Sequence, residues 1–117
     1  MTKKQSLKVA LAQIAPVWLN KEKTFEKILA SVSDAGKQNS DLVVFGEALL
    51  PGYPHWLGYT GGAEWDSPVH KELHAHYSKN AVDIEAGDLD KLCKLAKQKQ
   101  TAVYLSTIER PKDRGGH

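Results

Sequence analysis

The 117-residue sequence predicts an α/β fold built on a parallel sheet. Three short apolar segments with the character of strands alternate with segments whose apolar residues repeat at helical spacing. A chain that leaves a sheet, forms a helix and returns to the same sheet places consecutive strands parallel. The length is that of one ordinary domain, and no internal repeat or interdomain linker divides it. We therefore expect one domain in which helices pack on a parallel sheet.

The first strand is predicted in residues 7–14, LKVALAQI. This segment is short, apolar except for Lys8 and Gln13, and followed by Pro16. Such a run is typical of a strand that is buried on most of both faces.

The first helix is predicted to follow Asn20, whose side chain can cap a helix N-terminus. Four apolar residues recur at the i, i+3, i+4, i+7 spacing of one helical face: Phe25, Ile28, Leu29 and Val32. Residues 36–40, GKQNS, should end this helix.

The second strand is predicted in residues 42–45, LVVF, which are all apolar and include two β-branched residues. This composition favours a central parallel strand that buries both faces. Glu47 follows two residues later. Sites in parallel sheets form at the carboxyl ends of the strands, so Glu47 lies where a functional side chain is expected.

Residues 50–67 are rich in glycine, proline and aromatic residues and are predicted to form a loop. Ser67 and Pro68 then have the character of an N-cap and a first helical residue. Three residues would share one side of this helix: Val69, Leu73 and Tyr77.

A further helix is predicted to begin near Gly87 and Asp88. Four residues would form its apolar face: Leu89, Leu92, Cys93 and Ala96. A third strand is predicted in residues 101–107, TAVYLST, and the tail that follows is charged and rich in turn-forming residues.

The composition excludes several classes of protein. The 16 Lys and Arg residues nearly balance the 14 Asp and Glu residues, and a net charge of +2 spread over predicted helices argues against nucleic acid as a partner. No segment approaches the roughly 18 apolar residues of a membrane span, so no membrane partner is expected. The single cysteine, Cys93, fits a reducing compartment, and we expect a cytoplasmic protein.

The residues around Glu47 allow two interpretations. Leu49, Leu50 and the aromatic-rich loop would partly desolvate its carboxylate, and desolvation makes a carboxylate a stronger base. Alternatively, Glu47 caps a backbone turn or pairs with a lysine on the surface. A single acid does not decide between these two roles.

The segment FGEALLPGYPHW, residues 45–56, and the preceding LKVALAQIAPV with its amphipathic helix resemble the amino-terminal part of the nitrilase, or carbon-nitrogen hydrolase, superfamily. The resemblance spans nearly the whole chain. Many family members have proline in place of Gly46, and the PGYPHW extension is more similar to nitrilases than to amidases or carbamoylases. The resemblance implies an α/β fold of a particular kind, a partial α-β-β-α sandwich that is incomplete in this chain, with helices on one face of a parallel-leaning sheet.

The resemblance also implies a Glu-Lys-Cys catalytic set, in which Glu47 matches the general base. In that mechanism a cysteine thiolate attacks the carbon of a nitrile or amide, a lysine stabilises the developing negative charge, and water releases acid and ammonia. The implied partner is a small-molecule nitrile or amide. No cofactor and no metal are implied, and the full-length protein is expected to be a homo-oligomer.

Two parts of the family pattern are missing from the sequence. The family's lysine lies in a motif resembling K-x-x-P, its cysteine commonly precedes Trp-Glu, and neither motif is present. We therefore expect residues 1–117 to be the amino-terminal part of a single carbon-nitrogen hydrolase domain, without its carboxyl-terminal half. The chain alone is expected to be inactive.

Other residues with functional chemistry have simpler interpretations. Cys93 is expected to be a buried structural thiol on the apolar face of its helix. His70 and His74, with His76 nearby, have a spacing that can hold a metal, but a solvated helical face is preferred because no third ligand supports them.

Tyr53 and Trp56 flank the turn after Glu47 and are our candidates for substrate binding. They could instead fill the space between the loop and the sheet. Two alternative functions also stay open: an amidase or carbamoylase of the same superfamily, and a non-catalytic protein that acts as an interaction module.

Overall fold

A computed structural model describes residues 6–56 and 66–111 of the chain. Strands and helices alternate in the order β1 (Val9–Ala12), α1 (Lys21–Lys37), β2 (Leu42–Phe45), α2 (Pro68–Lys79), α3 (Asp90–Lys99) and β3 (Ala102–Tyr104). This order confirms the predicted α/β class.

The three strands form one parallel sheet in the order β1-β2-β3, so β2 is the central strand, as predicted. Val9, Leu42 and Ala102 lie side by side across it. Strand β3 is shorter than the predicted 101–107. Its ladder with β2 stops at Tyr104 because β2 ends at Phe45 and the chain then turns, and Thr107 pairs again with Leu50 in an isolated bridge.

One face of the sheet is covered by α1 and α3, which pack against each other. The core between the sheet and these helices contains the following buried residues: Ile28, Val32, Ala35, Val43, Phe45, Leu49, Leu50, Val82 and Leu92. Half-buried residues of β1 and β3 complete this face at Ala10 and Val103. Alternate residues of each strand therefore point into the core, as the two-residue period of a strand requires.

The other face of the sheet is apolar and open. We call it the open sheet face, and it consists of Val9, Leu11, Leu42, Val44, Ala102 and Tyr104. Leu11 is 75% exposed and Tyr104 is 66% exposed. The prediction that β1 and β2 bury both faces is therefore wrong for the described residues, because α1 and α3 lie on the same side. This arrangement agrees with a partial sandwich that has helices on one face.

Helix α1 begins and packs as predicted. The Asn20 side chain accepts a hydrogen bond from the Lys23 N–H at 3.0 Å, which caps the helix. Ile28 and Val32 are fully buried, and Phe25 and Leu29 pack beside them. The helix ends at Lys37, the second residue of the predicted stop at residues 36–40.

Helix α2 begins at the predicted cap, where the Ser67 hydroxyl accepts from the His70 N–H at 3.4 Å and Pro68 is the first helical residue. Tyr77 is buried, but Val69 on the predicted apolar side is exposed. Tyr77 lies near the end of α2, where it packs against Trp56 and donates to the Gly52 carbonyl oxygen, whereas the first turn of the helix leaves Val69 exposed.

Helix α3 corrects the prediction for Cys93, which is exposed. The helix buries Leu92, with Leu95 and Ala96 half-buried beside it. Successive residues are about 100° apart around a helix, so Cys93 is turned well away from the direction of Leu92. The expectation of a buried structural thiol is therefore wrong.

None of the helices within residues 6–56 and 66–111 has the length and apolar character that a membrane crossing requires.

Candidate active site

Glu47 lies two residues after the end of the central strand, in a turn formed by residues 47–52, which we call the Glu47 turn. Ala48, Leu49 and Leu50 are buried, whereas Glu47 is exposed. The partial desolvation expected from the sequence is thus not found at this carboxylate. The apolar residues of the turn point into the core beneath Glu47 and leave its side chain outside.

The peptide group after Glu47 is held by the segment that follows β3. The Ala48 N–H donates a hydrogen bond to Ser106 Oγ at 3.0 Å. Ala48 has φ of 49°, in the left-handed region that residues with a Cβ seldom adopt. The Gly52 N–H donates to the Ala48 carbonyl oxygen at 2.9 Å and closes the turn.

Two further contacts hold the end of the Glu47 turn. The Ile108 N–H donates to the Leu50 carbonyl oxygen at 2.9 Å, beside the Leu50–Thr107 bridge. The Tyr77 hydroxyl donates to the Gly52 carbonyl oxygen. Burial, and then the proximity of Tyr53, raises the pKa of Tyr77 above its ordinary value of 10.0, so Tyr77 stays a donor at neutral pH.

Gly52 can hardly be replaced in this turn. Its φ is +130°, and a Cβ built on it would lie 3.1 Å from Trp18 Cδ1. Both the backbone conformation and the close approach of Trp18 require glycine here.

Trp56 lies in a packed aromatic group with Trp18 and Tyr77. Its ring centroid is 6.1 Å from that of Trp18 and 4.8 Å from that of Tyr77, and the Trp56–Tyr77 contact is edge-to-face. Trp56 is 7% exposed. In this structure Trp56 therefore packs the start of the loop against Tyr77 of α2. Substrate binding by Trp56 stays a prediction.

Tyr53 has different surroundings. It is 49% exposed, and its ring contacts His55 with centroids 5.1 Å apart. Tyr53 is therefore accessible to a small molecule, whereas Trp56 is mostly enclosed. The loop aromatics Tyr59 and Trp65 lie outside the described residues.

A separate cavity of about 480 Å³ lies where α1 begins and α2 ends. Its lining is polar apart from one leucine and consists of Leu19, Asn20, Lys21, Glu22, His76, Lys79 and Asn80. Lys21 Nζ also forms an ion pair with Asp88 at 2.7 Å. Burial by itself raises the pKa of Asp88, but hydrogen bonds from Lys21 and the Asp83 N–H, with the charges of Lys21 and Arg110, lower it below its ordinary 3.8.

The histidines of α2 do not assemble a metal site within the described part of the chain. There, no group of three or more His, Cys, Asp or Glu side chains is arranged to hold a metal ion. His74 Nε2 instead lies 3.4 Å from the Ser78 hydroxyl.

Three residues that support the Glu47 turn were not singled out as site residues from the sequence: Trp18, Tyr77 and Ser106. A signal existed for Ser106. It lies near the carboxyl end of the predicted third strand, residues 101–107, and the carboxyl ends of neighbouring parallel strands meet at one edge of a sheet. For Trp18 no local pattern indicated the contact, because its partner Trp56 is far along the chain.

The fold is α/β, and its candidate site is an exposed acid that follows the central strand of a parallel sheet. The model of the carbon-nitrogen hydrolase family matches residues 8–117. The chain therefore belongs to the carbon-nitrogen hydrolase family.

Curated relatives include proteins named as nitrilases. An arylacetonitrilase of Aspergillus oryzae is 32% identical over 103 residues, which cover 88% of this chain and 29% of the relative. An arylacetonitrilase of Aspergillus niger is 32% identical over 110 residues, covering 94% of this chain and 31% of the relative. A protein named nitrilase 2, from an unknown prokaryotic organism, is 35% identical over 101 residues, covering 86% and 31%. The chain thus spans less than a third of the length of each of these relatives.

Proposed function

We propose that this chain is the amino-terminal part of a nitrilase-type hydrolase, in which Glu47 is the general base of a Glu-Lys-Cys set. The family match and the names of the relatives support the proposal. The observation that carries it is the position of Glu47: an exposed carboxylate two residues after the central strand, at the edge where sites of parallel sheets form.

In the proposed reaction a cysteine from a further part of the protein attacks the nitrile carbon. The carboxylate of Glu47 accepts the thiol proton as the S–C bond forms, and the nitrile nitrogen gains a proton to give a thioimidate. A lysine stabilises the charge that develops on nitrogen. Water then adds, ammonia leaves, and a second water releases the carboxylic acid. One nitrile and two waters thus give one acid and one ammonia.

The geometry of the Glu47 turn suits this role. A general base must reach the proton that it accepts, so its support must be fixed. The buried Ala48, Leu49 and Leu50 anchor the backbone while the Glu47 side chain stays accessible. In the proposed complete protein, further chain covers the carboxylate and supplies the desolvation that the isolated chain lacks.

We also propose that the 117 residues alone do not turn over nitriles. They contain neither the lysine motif nor the cysteine motif that the family resemblance implies. Release of ammonia from phenylacetonitrile is the assay, because relatives of this chain are named arylacetonitrilases. Steady release of ammonia by the purified chain would contradict this proposal.

The role of Glu47 is tested in a hybrid, with this chain in place of the matching part of the Aspergillus oryzae relative. We expect Glu47→Gln to lower kcat on phenylacetonitrile by about 10²–10⁴-fold, because it keeps the shape and removes the base. Glu26→Gln, at an exposed position of α1, is the matched control and should leave kcat unchanged. Activity of Glu47→Gln within about tenfold of the unchanged hybrid would exclude Glu47 as the base.

The same hybrid tests the substrate class. A nitrilase should turn over phenylacetonitrile faster than phenylacetamide, whereas the opposite preference would indicate an amidase. We further propose a cytoplasmic homo-oligomer for the complete protein, which cell fractionation and size-exclusion chromatography can test.

A further inference from the structure

The peptide bond between Glu47 and Ala48 is tied to a residue 58 positions away from Ala48. The N–H of that peptide group donates to Ser106 Oγ at 3.0 Å. The carbonyl carbon of the same planar group is bonded to Glu47 Cα. The hydrogen bond therefore restricts rotation of the backbone directly after Glu47, and with it the direction in which the Glu47 side chain leaves the turn.

The backbone conformation of Ala48 needs a contact that stabilises it. Ala48 lies in the left-handed region with φ of 49°, which is unfavourable for a residue with a Cβ. Ala48 is also buried, so water cannot readily replace a partner lost from its N–H. The Ser106 hydroxyl accepts a hydrogen bond from the buried Ala48 N–H, and this bond also stabilises the left-handed conformation of Ala48.

The two other contacts that join the Glu47 turn to distant parts of the chain lie further from Glu47. The Ile108 N–H holds the Leu50 carbonyl oxygen, and the Tyr77 hydroxyl holds the Gly52 carbonyl oxygen. The Leu50 contact is made by the backbone of residue 108 and does not depend on the side chain at position 106. Removing the Ser106 hydroxyl should therefore leave the turn in place and loosen only the peptide next to Glu47.

We propose that Ser106 is a positioning residue for Glu47, acting through its hydrogen bond with the Ala48 amide. This inference rests on the proposed function, in which Glu47 is the general base. Ser106 supplies no proton to the reaction; it fixes the orientation of the carboxylate.

Amide hydrogen exchange in the chain itself tests the anchor without any assay of activity. We expect the Ala48 amide to exchange at least about tenfold faster in Ser106→Ala, as an amide does when it loses its partner. Ser106→Thr keeps a hydroxyl and should restore slow exchange. The Ile108 amide should keep its rate in both variants. Unchanged exchange at Ala48, or equally faster exchange at Ile108, would overturn the proposal.

Kinetics of the hybrid enzyme then test the effect on Glu47. Misplacing a catalytic group can lower the rate by about 10²-fold while binding is kept, so Ser106→Ala should lower kcat by about 10–100-fold with little change in KM. Ser106→Thr should recover most of kcat. If Glu47→Gln is inactive but Ser106→Ala is fully active, the inference about Ser106 is wrong and the proposed function still stands. If Glu47→Gln is active, the proposed function fails, and the exchange data still decide whether Ser106 holds the turn.

Discussion

The hydroxyl of Tyr77 donates a hydrogen bond to the carbonyl oxygen of Gly52, which joins the last turn of α2 to the end of the Glu47 turn. The two residues are 25 positions apart, and both are buried. Trp56 packs against the ring of the same tyrosine. Tyr77 thus connects α2, the aromatic loop and the turn that carries the candidate base.

Tyr77→Phe should destabilise the protein. It keeps the ring in the aromatic group but leaves the Gly52 carbonyl without this donor, so we expect the free energy of unfolding to fall by about 1–3 kcal/mol. Thermal unfolding followed by tryptophan fluorescence at matched protein concentration measures the change. Tyr53→Phe, at a half-exposed ring, is the control. An equal loss of the free energy of unfolding in Tyr53→Phe would contradict the expected contribution of the Tyr77 hydrogen bond.

The raised pKa of Tyr77 predicts a loss of stability in alkali. Below pH 10 the phenol is neutral in both the folded and the unfolded chain. Above that pH the unfolded chain loses its proton first, because burial keeps Tyr77 protonated, and stability falls as the pH rises further. Melting temperatures between about pH 8 and 11 should therefore decline more steeply in the unchanged chain than in Tyr77→Phe. Parallel curves would contradict the prediction.

The ion pair between Lys21 and Asp88 predicts the response to acid. Because the pKa of Asp88 is lowered by folding, its contribution is present above pH 3.8 and is lost as the pH falls through the lower folded value. Asp88→Asn should reduce the free energy of unfolding by about 1–3 kcal/mol near pH 7 and flatten the decline below pH 4.

Asp66→Asn is the matched control for Asp88→Asn. Asp66 pairs with Lys71, but the two side chains are 69% and 68% exposed, against 24% for each partner in the Lys21–Asp88 pair. Exposed pairs contribute little, so Asp66→Asn should change the free energy of unfolding by less than about 1 kcal/mol. A larger loss of the free energy of unfolding in Asp66→Asn than in Asp88→Asn would show that burial does not determine how much these ion pairs contribute to stability.

Two glycines should respond oppositely to alanine. A Cβ on Gly46 meets no atom within 4 Å, so Gly46→Ala should raise the free energy of unfolding by about 0.4–1 kcal/mol. A Cβ on Gly36 would lie 2.9 Å from Lys99 Cβ, at the contact of α1 with α3. Overpacking there should outweigh the gain in helix propensity and give a net loss of up to about 2 kcal/mol. Thermal unfolding of both variants tests this contrast.

The open sheet face predicts association of the isolated chain. Its apolar residues promote aggregation, as do the outer edges of β1 and β3, which no other strand of the described residues pairs with, so the chain should elute as oligomers or larger aggregates in size-exclusion chromatography. Leu11→Lys places a charge on this face and should shift elution toward the monomer. Val69→Lys, at an exposed position on α2, should not. A sharp monomer peak for the unchanged chain would contradict the prediction.

Much of the fold was predictable from local patterns. The cap at Asn20 and the buried pair Ile28 and Val32 follow from residue type and helical spacing within a few positions. The LVVF run was correctly predicted as the central strand because such runs are typical of parallel sheets. The prediction was wrong at Cys93 and on the open sheet face. In both cases burial depends on which side of the helix or sheet is covered by other elements, and local patterns do not give that side.

The amino-acid sequence by itself determined the class of fold, the order of its elements, the family and the position of Glu47 just after a central strand. These properties follow from caps, apolar periodicity and motifs that involve neighbouring residues. Only the tertiary structure decided that Glu47 is exposed, that Trp56 packs with Trp18 and Tyr77, and that Ser106 holds the peptide after Glu47. Such contacts join residues tens of positions apart, so they exist only once the sheet and helices bring distant segments together.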